Sequence, residues 1–395
     1  MSTPVLMDYS DPGADLAADR TAAYARLREL GPVHRMRTPD GKESWLIVGY
    51  DEARTALADP RFSNDLRNSP DWTGDGGVPI GTNMLQTDPP DHTRLRKLVA
   101  KEFTARRVEA LRPRIQEITD RLLDGLPATG RADLVESFAL PLPLTVICEL
   151  LGVPAADRAD FRAWSNEMVQ LTDMAAAAAA AQAMTEYLHG LIEAKRRSPE
   201  DDLLSALAAA ADDGDRLSPA ELLGMAFVLL VAGHETTVNL ISSAVYSLLN
   251  HPAQLAELRA DWSLLDGAIE ETLRHQAPVE RASYRFTTEP VEIGGLTLPA
   301  REPVIVILSS AGRDGTHFAD PDRFDIHRDA RGHLAFGHGL HHCLGAPLAR
   351  LEAAVALRSL LERFPRLAFD TDRPETLDWR PSLALRGLAA LPVRY

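Results

Sequence analysis

The sequence predicts a mainly α-helical protein with a small β region. Three observations carry that prediction. Apolar residues recur at helical spacing through most of the 395 residues, and 45% of the chain is hydrophobic. Ser218-Pro219-Ala220-Glu221 forms a capping box with proline at the first helical position. It launches an apolar stretch running to Asn250, a helix of roughly 48 Å that should cross the whole molecule. Strand-like text is confined to a few short runs. No low-complexity linker divides the chain, so residues 1–395 are expected to form a single domain.

Taken in order, Tyr24–Leu30 reads as an amphipathic helix stopped by Gly31-Pro32. Val33–Met36 and Trp45–Val48 read as strands joined by a Pro39-Asp40-Gly41 turn. Asp51 is expected to cap a helix that ends at Asp59-Pro60. Asn68–Thr82, rich in Gly, Pro, Asp and Asn, reads as a long surface loop. Prolines in the first turn open a helix from Asp88 to Val99, and His92 and Arg96 share one of its faces. Helices follow over Arg107–Leu126, Phe138–Leu151 and Ala156–Leu171, with Cys148 read as core. The alanine tract Ala175–Ala181 is placed between helices. Leu264–Gln276 is helical and carries Glu271 and Arg274. Val291–Pro299 and Val304–Leu308 complete most of the β region, with short strands again near Ala389–Arg394.

Two stretches break these patterns and point to chemistry. In the apolar Ser218–Asn250 helix, Ala232-Gly233-His234-Glu235-Thr236-Thr237 puts an acid and two hydroxyls where burial penalises them unless they are satisfied. In Phe336-Gly337-His338-Gly339-Leu340-His341-His342-Cys343-Leu344-Gly345, glycines shape a tight loop that delivers Cys343 to a helix N-terminus. The unpaired N–H groups there favour a thiolate, and a thiolate so held suits ligation of haem iron. A zinc reading of His341-His342-Cys343 fails on ligand count, since Cys148 is the only other cysteine.

The net charge of −15 argues against nucleic acid or an anionic membrane as partner. The polar, acidic start shows no signal-peptide pattern, and no apolar run reaches about 18 uninterrupted residues. Two cysteines fit a reducing compartment. A soluble, cytoplasmic protein is expected.

The pattern Phe-Gly-x-Gly-x-His-x-Cys-x-Gly resembles the haem-binding loop of the cytochromes P-450. The His92/Arg96 helix, Ala232–Thr237 and Glu271/Arg274 with Arg323 agree with it in order. Among these enzymes the chain is similar to actinomycete macrolide hydroxylases. The resemblance implies a haem b cofactor (iron protoporphyrin IX) with Cys343 as axial ligand of the iron. His92, Arg96, Arg285 and His341 would hold its propionates, with Phe336 and Gly345 shaping the thiolate side. Glu235 and Thr236 match an acid–alcohol pair that relays protons, and Glu271, Arg274 and Arg323 match a structural ion network. Substrate contacts would come from Leu85, Gln86, Val231, Ala232, Glu235, Val279 and Ala384. The implied activity is monooxygenation with O2 and electrons from a ferredoxin, its reductase and NAD(P)H. Lys97, Lys101, Arg106 and Arg107 are candidates for the docking face. The implied substrate is a large hydrophobic secondary metabolite of macrolide or polyketide type. A peroxide-driven peroxygenase and a haem-binding protein without activity are the alternatives. Three positions depart from the family pattern: Gln86 stands where macrolide hydroxylases carry a glutamate, Arg301 where a turn glycine is common, and Gly312 where an asparagine is common.

Overall fold

The computed structural model describes residues 4–11, 15, 18–72, 82–170, 174–212 and 217–395. Fifteen α-helices are present among them: α1 Thr21–Leu30, α2 Tyr50–Ala58, α3 Asp91–Ala100, α4 Ala105–Ala110, α5 Arg112–Asp124, α6 Pro141–Leu151, α7 Arg158–Gln170, α8 Met174–Arg197, α9 Leu203–Asp212, α10 Pro219–Ala232, α11 Glu235–Asn250, α12 Pro252–Ala260, α13 Leu265–His275, α14 Leu308–Ala311 and α15 Ala346–Arg363. The strands are β1 Leu6–Asp8, β2 Val33–Arg37, β3 Glu43–Ile47, β4 Phe62–Ser63, β5 Arg131–Asp133, β6 Arg285–Thr287, β7 Val291–Ile293, β8 Leu296–Leu298, β9 Pro303–Val306, β10 Ala368–Phe369 and β11 Pro392–Arg394. A six-stranded sheet runs in the order β1-β2-β3-β9-β6-β4, beside a three-stranded and a two-stranded sheet. The mainly helical, minor-sheet architecture predicted from sequence is what forms.

One extended hydrophobic cluster joins α3, α5, α6, α10, α11, α13 and α15, and a second lies between α2 and the six-stranded sheet. In that sheet β3 and β9 pair in parallel with Leu46 opposite Ile305, and Arg285 of β6 faces Val304 across the antiparallel partner. The sheet thereby fixes Arg285 at the edge of the helical body.

Several boundaries differ from the sequence reading for identifiable reasons. The expected Arg107–Leu126 helix is interrupted at Leu111, so that Pro113 occupies the first turn of α5. The alanine tract lies inside α8, where high helix propensity carries it through. Asp51 sits in the first turn of α2 without capping it; Gly49 is the N-cap residue. The expected loop over Asn68–Thr82 is described only at its two ends, and residues 73–81 lie outside the described residues.

The capping box at Ser218 and Glu221 forms as expected, but the long helix does not stay continuous. It divides into α10 and α11 at Gly233-His234. The Pro219–Asn250 stretch is long and apolar enough to cross a bilayer by composition, yet two thirds of its most apolar window is buried inside the protein. It is a core element.

The expected ion network also needs one correction. Glu271 and Arg274 are fully buried and pair at 2.7 Å. Arg274 also donates to the carbonyls of Gly312, Pro321 and Arg323. Arg323 contributes only that carbonyl; its guanidinium points outward to Asp325. The second arginine on Glu271 is Arg328, at 3.3 Å. The Asp325 N–H also donates to Glu271 Oε1 at 2.9 Å, so the 325–328 segment satisfies the buried carboxylate with both a backbone donor and the Arg328 cation.

Candidate functional site

A cavity of about 280 Å3 opens between α10, α11, β6 and the cysteine loop. Cys343 lies at its floor. The loop folds back on itself so that the Cys343 N–H donates to the Phe336 carbonyl at 2.8 Å. Gly337 and Gly339 adopt φ of 71° and 73°. Gly339 has no alternative: a Cβ there would sit 2.8 Å from the Leu57 carbonyl oxygen and 2.9 Å from Ala58 Cα. Arg350, one turn into α15, stacks 4.5 Å from the Phe336 ring centroid and pairs with Glu270 at 2.6 Å, while His333 approaches Glu270 at 3.0 Å. Burial works to raise the Glu270 carboxyl, but those two partners hold it at about 2.

Cys343 lies deep in the molecule, yet its surface is open because it faces the cavity. Burial raises its thiol pKa, opposed by the Gly345 and Ala346 backbone N–H groups, Arg96 and Arg350. The helix start thus offsets part of that rise without reversing it, and a metal ion bound at the sulfur would supply the deprotonation. Cys148 is different: it is buried in α6, and desolvation pushes its thiol up to about 12.

The remaining walls can be tested against a flat dianionic group. Arg96, Arg285 and His341 line the cavity, with His92 behind them, its ring 4.3 Å from that of His341. Among the described residues, both His92 ring nitrogens and the Arg285 Nε are buried without a hydrogen-bond partner. Burial and neighbouring cations push His341 down to about 3, so its imidazole is neutral, and burial lowers Arg285 to about 10, so its guanidinium stays charged. Buried guanidinium and imidazole N–H donors are what two carboxylates would satisfy. At Gly345 a Cβ would meet only the cysteine sulfur, at 3.9 Å, and would otherwise project toward the cavity. The residues present fit haem: Cys343 would supply the sulfur ligand, and Arg96, Arg285, His92 and His341 would hold the propionates.

The opposite wall is the break between α10 and α11. A Cβ at residue 233 would meet the Leu229 carbonyl at 2.5 Å and Ile147 Cγ1 at 2.7 Å, so Gly233 lets α6 pack close to the break. Side chains take over part of the interrupted ladder. The Thr236 hydroxyl donates to the Ala232 carbonyl at 3.1 Å, and His234 Nδ1 lies 3.0 Å from the Leu230 carbonyl. Ala232, Thr236 and Thr237 line the cavity.

Glu235 is on another side of the helix. It is 1% exposed, accepts a hydrogen bond from Arg380 at 2.9 Å, and borders a separate small cavity with Asn239 and Gly387. The expected acid–alcohol pair is therefore split: Thr236 reaches the large cavity and Glu235 does not. The substrate set divides similarly. Leu85, Ala232 and Val279 are on the wall; Gln86, Val231, Glu235 and Ala384 are not. Gln86 instead accepts a hydrogen bond from the Asn83 side-chain amide at 3.0 Å. Sequence reasoning marked Thr237 in the polar interruption without giving it a role, and missed Met84, Leu240 and Ser283 on the wall and Arg380 behind Glu235.

A helix-start thiolate facing a cation-lined slot, in a helical body with a small sheet, defines a haem-thiolate protein. The chain belongs to the cytochrome P450 family: that family's pattern matches residues 154–389, and full-length relatives agree. It is 58% identical to the cytochrome P450 monooxygenase PikC of Streptomyces venezuelae, across 100% of this chain and 95% of that one. It is 48% identical to the 6-deoxyerythronolide B hydroxylase of Saccharopolyspora erythraea, across 94% and 95%. The structure of the P450 monooxygenase TamI bound to tirandamycin C superposes with a TM-score of 0.92, at 46% identity, covering 98% of this chain and 99% of that one. The protein is a haem-dependent monooxygenase.

Proposed function

We propose that this monooxygenase hydroxylates or epoxidises a large hydrophobic secondary metabolite of macrolide or polyketide type. It would use O2 and electrons from a ferredoxin, a ferredoxin reductase and NAD(P)H. The observation that carries the reading is the cavity, whose wall beyond the haem-holding residues is largely apolar and ends at Thr236. The names of the relatives point the same way. The cofactor is taken as haem b, the chain as one domain over residues 1–395, and the compartment as the cytoplasm.

Haem bound to a thiolate supplies the oxygen-activating chemistry. The chain's own residues do the rest. Cys343 provides the sulfur, with its anionic form favoured by the start of α15. Arg96 and Arg285 would neutralise the carboxylates, and His92 and His341 would donate hydrogen bonds to them. Phe336 and Gly345 leave a flat approach beside the sulfur. Leu85, Val279 and Ala232 exclude water and hold apolar substrate surface. Thr236 places a hydroxyl at the wall where a proton can be handed on. Lys97, Lys101, Arg106 and Arg107 are exposed in and just after α3, and Arg107 is partly committed to Glu102. On an otherwise acidic chain they suit an acidic electron donor.

The experiment is reconstitution with ferredoxin, reductase and NAD(P)H on 6-deoxyerythronolide B. A haem spin-state shift and a product heavier by one oxygen atom are expected. Turnover with peroxide alone, and none with the electron-transfer proteins, would replace this reading by the peroxygenase.

Gln86 bears on which members of the class fit. A neutral amide in place of a carboxylate forfeits a charge-assisted bond to an amino sugar, and here the amide is engaged with Asn83. Asp71, another source of negative charge, is paired with Lys42 at 2.6 Å, and Asp75 lies outside the described residues. Uncharged macrolides are the expected preference. Gln86→Glu should tighten binding of a matched amino-sugar macrolide by about tenfold, read from spin-shift titrations. Equal affinity of both forms for that ligand would remove Gln86 from recognition.

A further inference from the structure

Ser283 is on the cavity wall and half-buried, in a place no expected role covers. Its surroundings fix the polarity of its hydroxyl. Asn64 Nδ2 donates to Ser283 Oγ at 2.8 Å and to the Leu85 carbonyl at 3.3 Å. A carbonyl can only accept, so the amide nitrogen must be at that end of Asn64. Asn64 itself is 2% exposed, and its backbone N–H donates to Asp88 Oδ1 at 3.0 Å. Asp88 also takes the Ser63 hydroxyl. The asparagine is thus held from behind and presents its donor to Ser283. One Ser283 lone pair is thereby engaged, and the hydroxyl proton is left to donate.

Among the described residues no protein acceptor takes that proton. The cavity lining around this stretch is largely apolar, with Leu85, Pro278, Val279 and Ala282 among its residues. Arg285, two residues on at the start of β6, lines the same cavity. A hydroxyl donor on a largely apolar wall is complementary to an oxygen acceptor.

We propose that Ser283, oriented by Asn64, donates a hydrogen bond to a ligand oxygen in this cavity. The oxygen is either a haem carboxylate or a carbonyl or hydroxyl of the substrate. The inference rests on the haem-monooxygenase reading and adds a binding residue to it. Ser283 is a positioning residue and takes no part in oxygen transfer.

The test uses the holoenzyme in three forms: wild type, Ser283→Ala and Ser283→Thr. One arm measures the rate of haem transfer to excess apomyoglobin. The other measures spectral binding of 6-deoxyerythronolide B against 1-dodecylimidazole, a ligand without oxygen. Ser283→Ala is expected to change one arm by about threefold to tenfold, and Ser283→Thr, which keeps the hydroxyl, to restore it. Faster haem loss assigns the bond to the haem carboxylate. Weaker polyketide binding, with dodecylimidazole unchanged, assigns it to the substrate. Unchanged behaviour in both arms overturns the proposal, as does equal weakening of both ligands with haem loss unchanged. If wild type ignores 6-deoxyerythronolide B yet binds dodecylimidazole, the polyketide reading fails separately. The haem arm then decides for Ser283, and an unchanged rate there overturns it.

Discussion

The two walls of the cavity are built on opposite principles. The cysteine wall is encoded locally: within ten residues the chain supplies two left-handed glycines, a backbone bond from Cys343 to Phe336, and the start of α15. The wall at the break between α10 and α11 is completed from a distance. Glu235 depends on Arg380, 145 residues away, and Gly233 on the approach of Ile147. A local device tolerates change elsewhere, whereas an assembled one inherits the faults of every partner. The cysteine wall should therefore fail mainly when its own residues change, with Glu270 on Arg350 and His333 as its brace from outside.

The largest effect tests that directly. Cys343→Ser is expected to fold but to lose completely the red-shifted Soret band of thiolate-ligated ferrous–CO haem. Cys148 cannot substitute, being buried in α6 with its thiol pushed to about 12. A mutant that keeps the band would show that the local loop does not supply the ligand.

Next is the assembled wall. Removing Arg380 leaves Glu235, 1% exposed, without its cation. Arg380→Ala should lower unfolding stability by about 3 kcal/mol while leaving the thiolate band in place. Denaturant unfolding followed by circular dichroism and by the Soret band reads both. Loss of the band in the folded mutant would mean that the two walls are not independent.

Smaller still is Thr236→Ala, which removes a hydroxyl facing the cavity and its bond to the Ala232 carbonyl. Haem and substrate binding should persist, while product formed per NAD(P)H falls roughly tenfold as peroxide accumulates. Unchanged coupling would take Thr236 out of proton handling.

The mildest probe is pH. Glu270 titrates at about 2 in the folded protein, against roughly 4.3 in an unfolded chain. Its depressed pKa contributes stability above the unfolded value, and that contribution is lost as pH falls from about 4 to about 2. Acid titration of the Soret band should steepen in that window, and Glu270→Gln should flatten it. An unaltered acid edge would mean that Glu270 does not brace the cysteine loop.

The same contrast explains what could be read beforehand. Cys343, Gly345 and Arg96 were legible because glycine spacing and a shared helix face leave marks in local text, whereas Phe336, Arg285 and His341 came with the family resemblance; the structure brings them all to one cavity. Glu235 looked identical to Thr236 on paper, one residue apart in a polar interruption. Successive helical residues face about 100° apart, however, and only packing decides which one meets the cavity. Arg328 displaced Arg323 for a similar reason: either arginine fits the charge pattern, and only the turn after Pro321 selects one. Arg301 keeps a left-handed φ of 62° despite its side chain, with its guanidinium donating to the Ser69 carbonyl. A glycine would relieve that backbone but forgo the tether.

The unpartnered nitrogens of His92 and Arg285 have a consequence for supply. On the proposed haem reading, the buried His92 and Arg285 N–H donors that lack partners among the described residues would be satisfied by a haem carboxylate, so that folding and haem capture would share one equilibrium. Each tenfold rise in free haem above its dissociation constant adds about 1.4 kcal/mol to the folded state. The steady-state amount of this protein should then track haem synthesis in the host. Starving the cell of haem would thin the population through turnover of unfolded chains, long before any single molecule showed an altered rate.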